Sequence, residues 1–235
     1  MTTALAAGAT HVAGAFGACL YERWLVRRRP HELAWALALL LFAGGSAALW
    51  TGATLGWDAP TFRAFYFFGA VANVPVLALG TVYLLSASRR RAHVVAALVG
   101  LAVAFAGGVL AVAPLTGPIE ADVLPRGSDV FGVLPRLLAA LASGLGATVV
   151  FAGAAWSGLR LAGGRSTRRL AAGNALIALG TVVLSASGLF NSVADEMQAF
   201  ALSLTLGISV LFAGFLVTTT GAPAGATARR LRRVA

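Results

Sequence analysis

The feature that most limits what this chain can fold into is a succession of seven apolar runs, near residues 4–24, 33–55, 61–86, 92–113, 130–158, 168–189 and 194–219. A helix needs roughly 20 mostly apolar residues to cross the hydrocarbon of a bilayer, and the runs reach that length. Water would not tolerate the exterior they make. Of the residues, 59% are hydrophobic and 11% charged, against about a quarter charged in an ordinary soluble domain. Lipid does not penalise an apolar exterior, and a helix satisfies its own backbone there. The expected fold is therefore all-α, a polytopic membrane protein. Residues 1–222 are expected to form one seven-transmembrane-helix bundle, and 223–235 a short basic cytoplasmic tail suited to anionic headgroups. The first run lacks a basic start and a polar cleavage region, so it reads as a retained helix and not a signal peptide.

Arginine sets the expected orientation. All 18 basic residues are arginine. Arg23, Arg27, Arg28 and Arg29 follow the first run, Arg89, Arg90 and Arg91 the third, and Arg160, Arg165, Arg168 and Arg169 the fifth. Arg229, Arg230, Arg232 and Arg233 close the chain. The even-numbered connections hold only Arg63, Arg126 and Arg136, beside Asp58, Glu120, Asp122, Asp129, Asp195 and Glu196. Short cationic loops stay in the cytoplasm, which puts the N-terminus outside and the C-terminus inside. Only an odd number of spans fits that alternation. A net charge of +10 can signal nucleic acid. Here the arginines punctuate apolar runs and line no solvated face, so the expected partner is the lipid bilayer and not nucleic acid. Abundant Ala, Gly and Arg with no Lys fits a GC-rich bacterial genome, and the expected location is the bacterial inner (plasma) membrane, multi-pass.

The third run, "FFGAVANVPVLALGTVYLL", places an amide and a helix-breaker in the middle of the membrane. Asn73 lies about 18 Å along the helix from Thr61, close to the bilayer centre. Pro75 cannot donate to the carbonyl of Val71, so a kink is expected. Steps of three and four put Tyr66, Gly69, Asn73, Val76, Gly80 and Tyr83 on one face, expected to point into the bundle. Comparable small and polar stripes are Gly8, His11, Ala15 and Ala18 in the first run and Ser143, Gly146, Val150, Gly153 and Ser157 in the fifth. The sixth offers Asn174, Ala178, Thr181, Ser185 and Gly188, and the seventh Gln198, Ala201, Thr205 and Ser209. Small residues let membrane helices approach, and hydroxyls and amides bond across the gap for about 0.6 kcal/mol each. "ALGTV" occurs at Ala78 and again at Ala178, an echo that reads as shared packing chemistry. Two roles for Asn73 stand side by side: packing with repair of the disturbed backbone, and contact with a ligand.

Little else points to chemistry. No acid lies within a span, which disfavours a proton-coupled pump. A single cysteine, Cys19, excludes an intrachain disulfide and a Cys-rich metal site. His31 and His93 read as interfacial groups at the inner edge. There is no HExxH, GxSxG, phosphate loop or nicotinamide fingerprint, so no catalytic residue, cofactor or metal is expected. The most polar grouping lies at the outer end, and the expected ligand-binding residues are His11, Arg63, Tyr66, Asn73, Arg136, Asn191, Asp195 and Gln198, with Glu196 nearby. Several have structural readings too. Ser192–Asp195 fits a capping box, Asp58 and Pro60 a helix start, Arg63 a snorkelling cation and Trp57 an interfacial belt.

Seven helices with the N-terminus outside invite comparison with microbial rhodopsins, and "FRAFYFFGAVANVPVLAL" is similar to their third helix. That family holds retinal on a lysine; this chain has none, which excludes a covalent retinal pigment. "RWLVRRRP", "LAWALALLLFAGGSAALW" and "FRAFYFFGAVANVPVLAL" together resemble the seven-helix sensory input regions of bacterial histidine kinases. The resemblance implies perception of an outer or membrane-dissolved signal. No kinase or cyclase domain follows Ala235, so output would pass through a partner. The expected function is a non-enzymatic sensory or ligand-binding module, or an accessory subunit, working with a membrane-protein partner or a cytoplasmic output protein. The alternative is a small-solute transporter or facilitator without an intramembrane carboxylate, with Asn73 and Asn174 at successive depths of a path.

Overall fold

The computed structural model describes residues 2–161, 165–193 and 197–219. The basic tail and the pair Asp195 and Glu196 lie outside the described residues, and so does the acid of the expected capping box. Among the described residues the fold is all-α. The helices are α1 (Thr2–Arg27), α2 (Pro30–Leu55), α3 (Ala59–Tyr66), a π-helical segment (Phe67–Ala72), α4 (Asn73–Leu85), α5 (Arg89–Val112), a single turn α6 (Gly127–Val130), α7 (Val133–Leu161), α8 (Arg165–Val193) and α9 (Met197–Thr219). Five stretches are long and apolar enough to cross a membrane: Thr3–Arg27, Pro30–Leu55, Ala59–Leu85, Arg89–Val112 and Val133–Ser157. In α8 and α9 the apolar stretches Ala171–Leu184 and Ala201–Val217 are shorter.

Local chemistry explains the breaks. Arg28 takes a left-handed φ of 51°, which turns α1 into α2 within two residues, and Pro30 opens α2 where a missing N–H costs nothing. Gly56, at φ 93°, ends α2 with its N–H on the carbonyl of Gly52. Asp58 caps α3 by accepting from the Thr61 N–H at 2.8 Å, as the Asp58–Pro60 pattern predicts. Ser88 caps α5.

Neighbouring helices form a ring in which α1 touches α2 and α9, α2 runs beside α3, the π segment and α4, the π segment and α4 pack on α7, and α8 closes the circuit between α7 and α9. α5 lies outside it, against α4, the π segment and α7. Its Leu98, Leu101 and Phe105 are exposed. The central core joins Ala9, Ala13, Phe16 and Leu20 of α1 to Leu39 and Phe42 of α2 and to Ile208, Leu211 and Phe215 of α9.

In α3–α4 the proline is met by a change of helical register. The π segment covers the turn whose Val71 carbonyl loses its donor to Pro75. Widening the turn also moves the residues before it out of phase with those after it. Gly69 still meets Gly45, Asn73 is buried and Gly80 receives the Trp35 ring, so much of the expected inner face packs on α2. Phe67, on another face, packs on Gly107 of α5.

The other stripes divide. That of α7 packs on α4: Gly146 sits on Val74, Gly153 on Thr81 and Val150 is buried. The α1 stripe faces the other way. His11, Ala15 and Ala18 are exposed, while Ala6, Ala9, Ala13, Phe16 and Leu20 face the core. Volume decides this, since Phe16 and Leu20 fill the space between α2 and α9 and the small stripe cannot. α8 meets α9 through glycines: Gly180 lies on the backbone of Leu211, and Gly214 on that of Gly173 and Ile177. In both copies of ALGTV the glycine and the threonine are buried, Gly80 and Thr81 in one and Gly180 and Thr181 in the other.

Candidate functional site

At the arginine-poor end the connection after α5 folds inward. Leu115 bridges to Phe131, Thr116 donates to the Val130 carbonyl, and Trp57 donates through its backbone to Ala121. Leu124, Val130 and Phe131 are thereby buried with Trp57 and Phe62. Phe131 stacks on Phe62 at 5.3 Å between ring centres and meets Tyr66 at 5.1 Å. Trp57 belongs to this plug and not to an interfacial belt.

Arg63 and Tyr66 come together here. The Arg63 guanidinium donates to the carbonyls of Leu110 and Ala113, the latter at 2.7 Å, and lies over the Phe131 ring. It therefore satisfies the free carbonyls at the end of α5. Tyr66 is half-buried over Gly127, and Arg136 is exposed on α7. His11 stands apart on the outward face of α1, its Nδ1 2.7 Å from the Ala7 carbonyl and its ring 6.3 Å from Trp50. Asn191 and Gln198 fall near the facing ends of α8 and α9.

Asn73 opens α4 immediately after the π segment and is 7% exposed. On α2, Ser46 follows the Gly45 that meets Gly69; its hydroxyl is buried and has no partner among the described residues. The π segment has an external bond of its own, from the Ser143 hydroxyl of α7 to the Ala70 carbonyl at 2.6 Å.

The opposite end holds groups that sequence reasoning left at the membrane edge. Glu32 is 1% exposed. Its Oε1 receives Arg23 Nη2 at 3.2 Å and lies 3.9 Å from Arg27, while Oε2 has no partner among the described residues. The signal was the two-residue turn, which folds the last turn of α1 back on the first turn of α2. Beside it a cavity of about 260 Å³ opens between the α1–α2 and α4–α5 turns. Arg29, His31, Tyr83, Ser86 and Arg89 supply its polar lining, and Pro30, Leu84 and Ala92 its apolar wall. Tyr83 and His93 share a hydrogen bond of 2.9 Å, and His31 meets the Trp35 ring edge-on at 5.3 Å.

Compared with known proteins, the chain matches no family model, no curated protein and no solved structure.

Proposed function

We propose that the chain is a seven-span protein of the bacterial plasma membrane, N-terminus outside and C-terminus inside, that works as a non-enzymatic ligand-binding sensory module. The observation that carries this reading is a π segment with the buried Asn73 at its exit and, on the facing α2, the Ser46 hydroxyl, which is buried and has no partner among the described residues. Leaving a buried polar group unpaired costs about 1–3 kcal/mol, and a ligand that hydrogen-bonds it recovers that cost. π segments inside helices occur frequently at functional sites.

A ligand acts here by preferring one register, since binding shifts an equilibrium only through differential affinity. Return of the π turn to α geometry would rotate α3 against α4 by about 100°. Arg63 rides on α3 and holds the end of α5, so the change reaches α5, whose outer apolar face is available to a membrane partner. The aromatic plug at the arginine-poor end supports binding over passage of a solute. Purified protein in sealed vesicles is expected to bind saturably, without solute flux, the non-lipid molecule that survives mild detergent extraction. Asn73→Ala is expected to abolish that binding at unchanged folded yield. Flux through the wild type, lost in Asn73→Ala, would instead establish the facilitator. For topology, single cysteines in the connection 114–129, in a Cys19→Ser background, are expected to label from outside the cell, and those at 86–88 not.

A further inference from the structure

We propose that the cavity between the α1–α2 and α4–α5 turns binds a phosphate ester, gripped by the Arg29 and Arg89 guanidiniums with the Tyr83 hydroxyl beside them. This site lies in a different part of the fold from Asn73 and does not depend on the sensory reading.

Charge comes first. Arg23 and Arg27 share the Glu32 carboxylate, whereas Arg29 and Arg89 pair with no acid among the described residues. They approach the cavity from separate turns, so an anion bound there would meet a guanidinium from each. Each guanidinium is a planar fork matched to two oxygens. A carboxylate has two oxygens and satisfies one fork, while a phosphate has enough for both.

The backbone adds to this. Arg29 is the N-cap of α2 and Arg89 the first residue of α5, so both helices point their positive ends at the cavity. The Arg29 side chain makes no capping bond, leaving the first turn of α2 without a side-chain acceptor from its cap. The Tyr83 hydroxyl, which can donate to a ligand while accepting from His93 Nδ1, and the imidazole of His31 line one side, where the Ser86 hydroxyl is committed to the Ser88 carbonyl at 3.0 Å. Leu84 and Ala92 form an apolar wall on the other, suited to the carbon skeleton of an ester and not to a bare ion. Basic pockets between membrane helices near the cytoplasmic surface suit phospholipid headgroups, and a soluble phosphate monoester offers the same oxygens.

The test uses the full chain in a neutral maltoside detergent. Glycerol 3-phosphate is titrated by calorimetry, and retention of added phosphatidylglycerol is followed by native mass spectrometry. Saturable binding of either supports the site. Binding of glycerol 3-phosphate identifies a soluble ester, and retention of phosphatidylglycerol alone identifies a lipid headgroup. Arg29→Gln and Arg89→Gln are each expected to weaken binding about tenfold, the loss of one charge-assisted contact. Arg90→Gln and Arg91→Gln, on the same turn but outside the cavity, are expected to change it less than twofold. Tyr83→Phe keeps the ring and its packing, so a severalfold loss there reports on the shell independently of any folding defect in the arginine variants. Equal losses in all four arginine variants would show diffuse attraction and overturn the site, as would no binding of either probe.

Discussion

The hydroxyl of Ser143 donates to the carbonyl of Ala70 at 2.6 Å, tying α7 to the π segment of the neighbouring helix. Gly146, nearly one turn further along α7, lies against the backbone of Val74. A donor and a close backbone approach thus meet the same helix where Pro75 withholds its own N–H. If Ser143 supports the π register, removing it should matter less once the proline is gone. Ser143→Ala is expected to cost about 1 kcal/mol. In a Pro75→Ala background the cost should fall by more than about 0.5 kcal/mol, the threshold at which neighbouring sites are coupled. Additive losses in detergent denaturation would separate the serine from the proline.

The α8–α9 contact predicts a contrast between two glycines. A Cβ at Gly180 would lie 2.8 Å from the backbone nitrogen of Leu211, and backbone cannot step aside. At Gly8 nothing lies within 4 Å. Gly180→Ala is expected to destabilise the protein by about 1–3 kcal/mol, as overpacking does, and Gly8→Ala to be neutral or slightly stabilising through helix propensity. Thermal unfolding of the two variants in one detergent compares them directly; equal midpoints would mean that α8 and α9 do not approach this closely.

Much of this was legible because period and charge are local properties. The helix start at Asp58 follows from a single residue, and the α7 stripe packs inward as its spacing implies. What was not legible depends on neighbours. The α1 stripe around His11 lost the core to Phe16 and Leu20, which a count of small residues cannot anticipate. A π segment has no composition of its own, so the widened turn was hidden behind the proline that signals it. Arg63 reads as a snorkelling cation until the end of α5 is placed beside it. The cavity joins Arg29 to Arg89 across sixty residues of chain, and only the fold makes them neighbours.

Asp58 gives the start of α3 a pH dependence of known sign. Hydrogen bonding from Thr61, side chain first and backbone N–H second, holds the Asp58 carboxyl below the usual carboxylate range. A group whose folded pKa is lowered adds stability that is fully present above its unfolded value, about 3.9, and is lost as pH falls through the lower folded value. Hydrogen exchange at residues 61–63, corrected for intrinsic rate, is therefore expected to lose protection in acid and hold steady from about pH 5 upward. Asp58→Asn keeps a capping oxygen without a titrating proton, so its protection should not change over the same range. An identical acid loss in Asp58→Asn would assign the effect to another group.

Glu32 and Glu22 separate a buried charge from an exposed one on the same pair of helices. Glu32 is enclosed and shares Oε1 between Arg23 and Arg27, whereas Glu22 is exposed. Removing one partner of a buried pair costs about 3–5 kcal/mol when the other is left buried. Arg23 and Arg27 keep side-chain exposures of 26% and 46%, so water takes over much of their solvation and the expected loss lies below that range. Glu32→Gln is thus expected to lower stability by about 1–3 kcal/mol, and Glu22→Gln by less than about 0.5 kcal/mol. Arg23→Gln should be milder in the Glu32→Gln background than alone, because the contact it removes is already gone. Arg23 also lies over the Phe215 ring of α9 at 5.1 Å. That second contact survives Glu32→Gln, so a residual cost of Arg23→Gln in the double variant would measure the cation–aromatic share. Full additivity across the cycle would deny the carboxylate any part in holding α1 to α2.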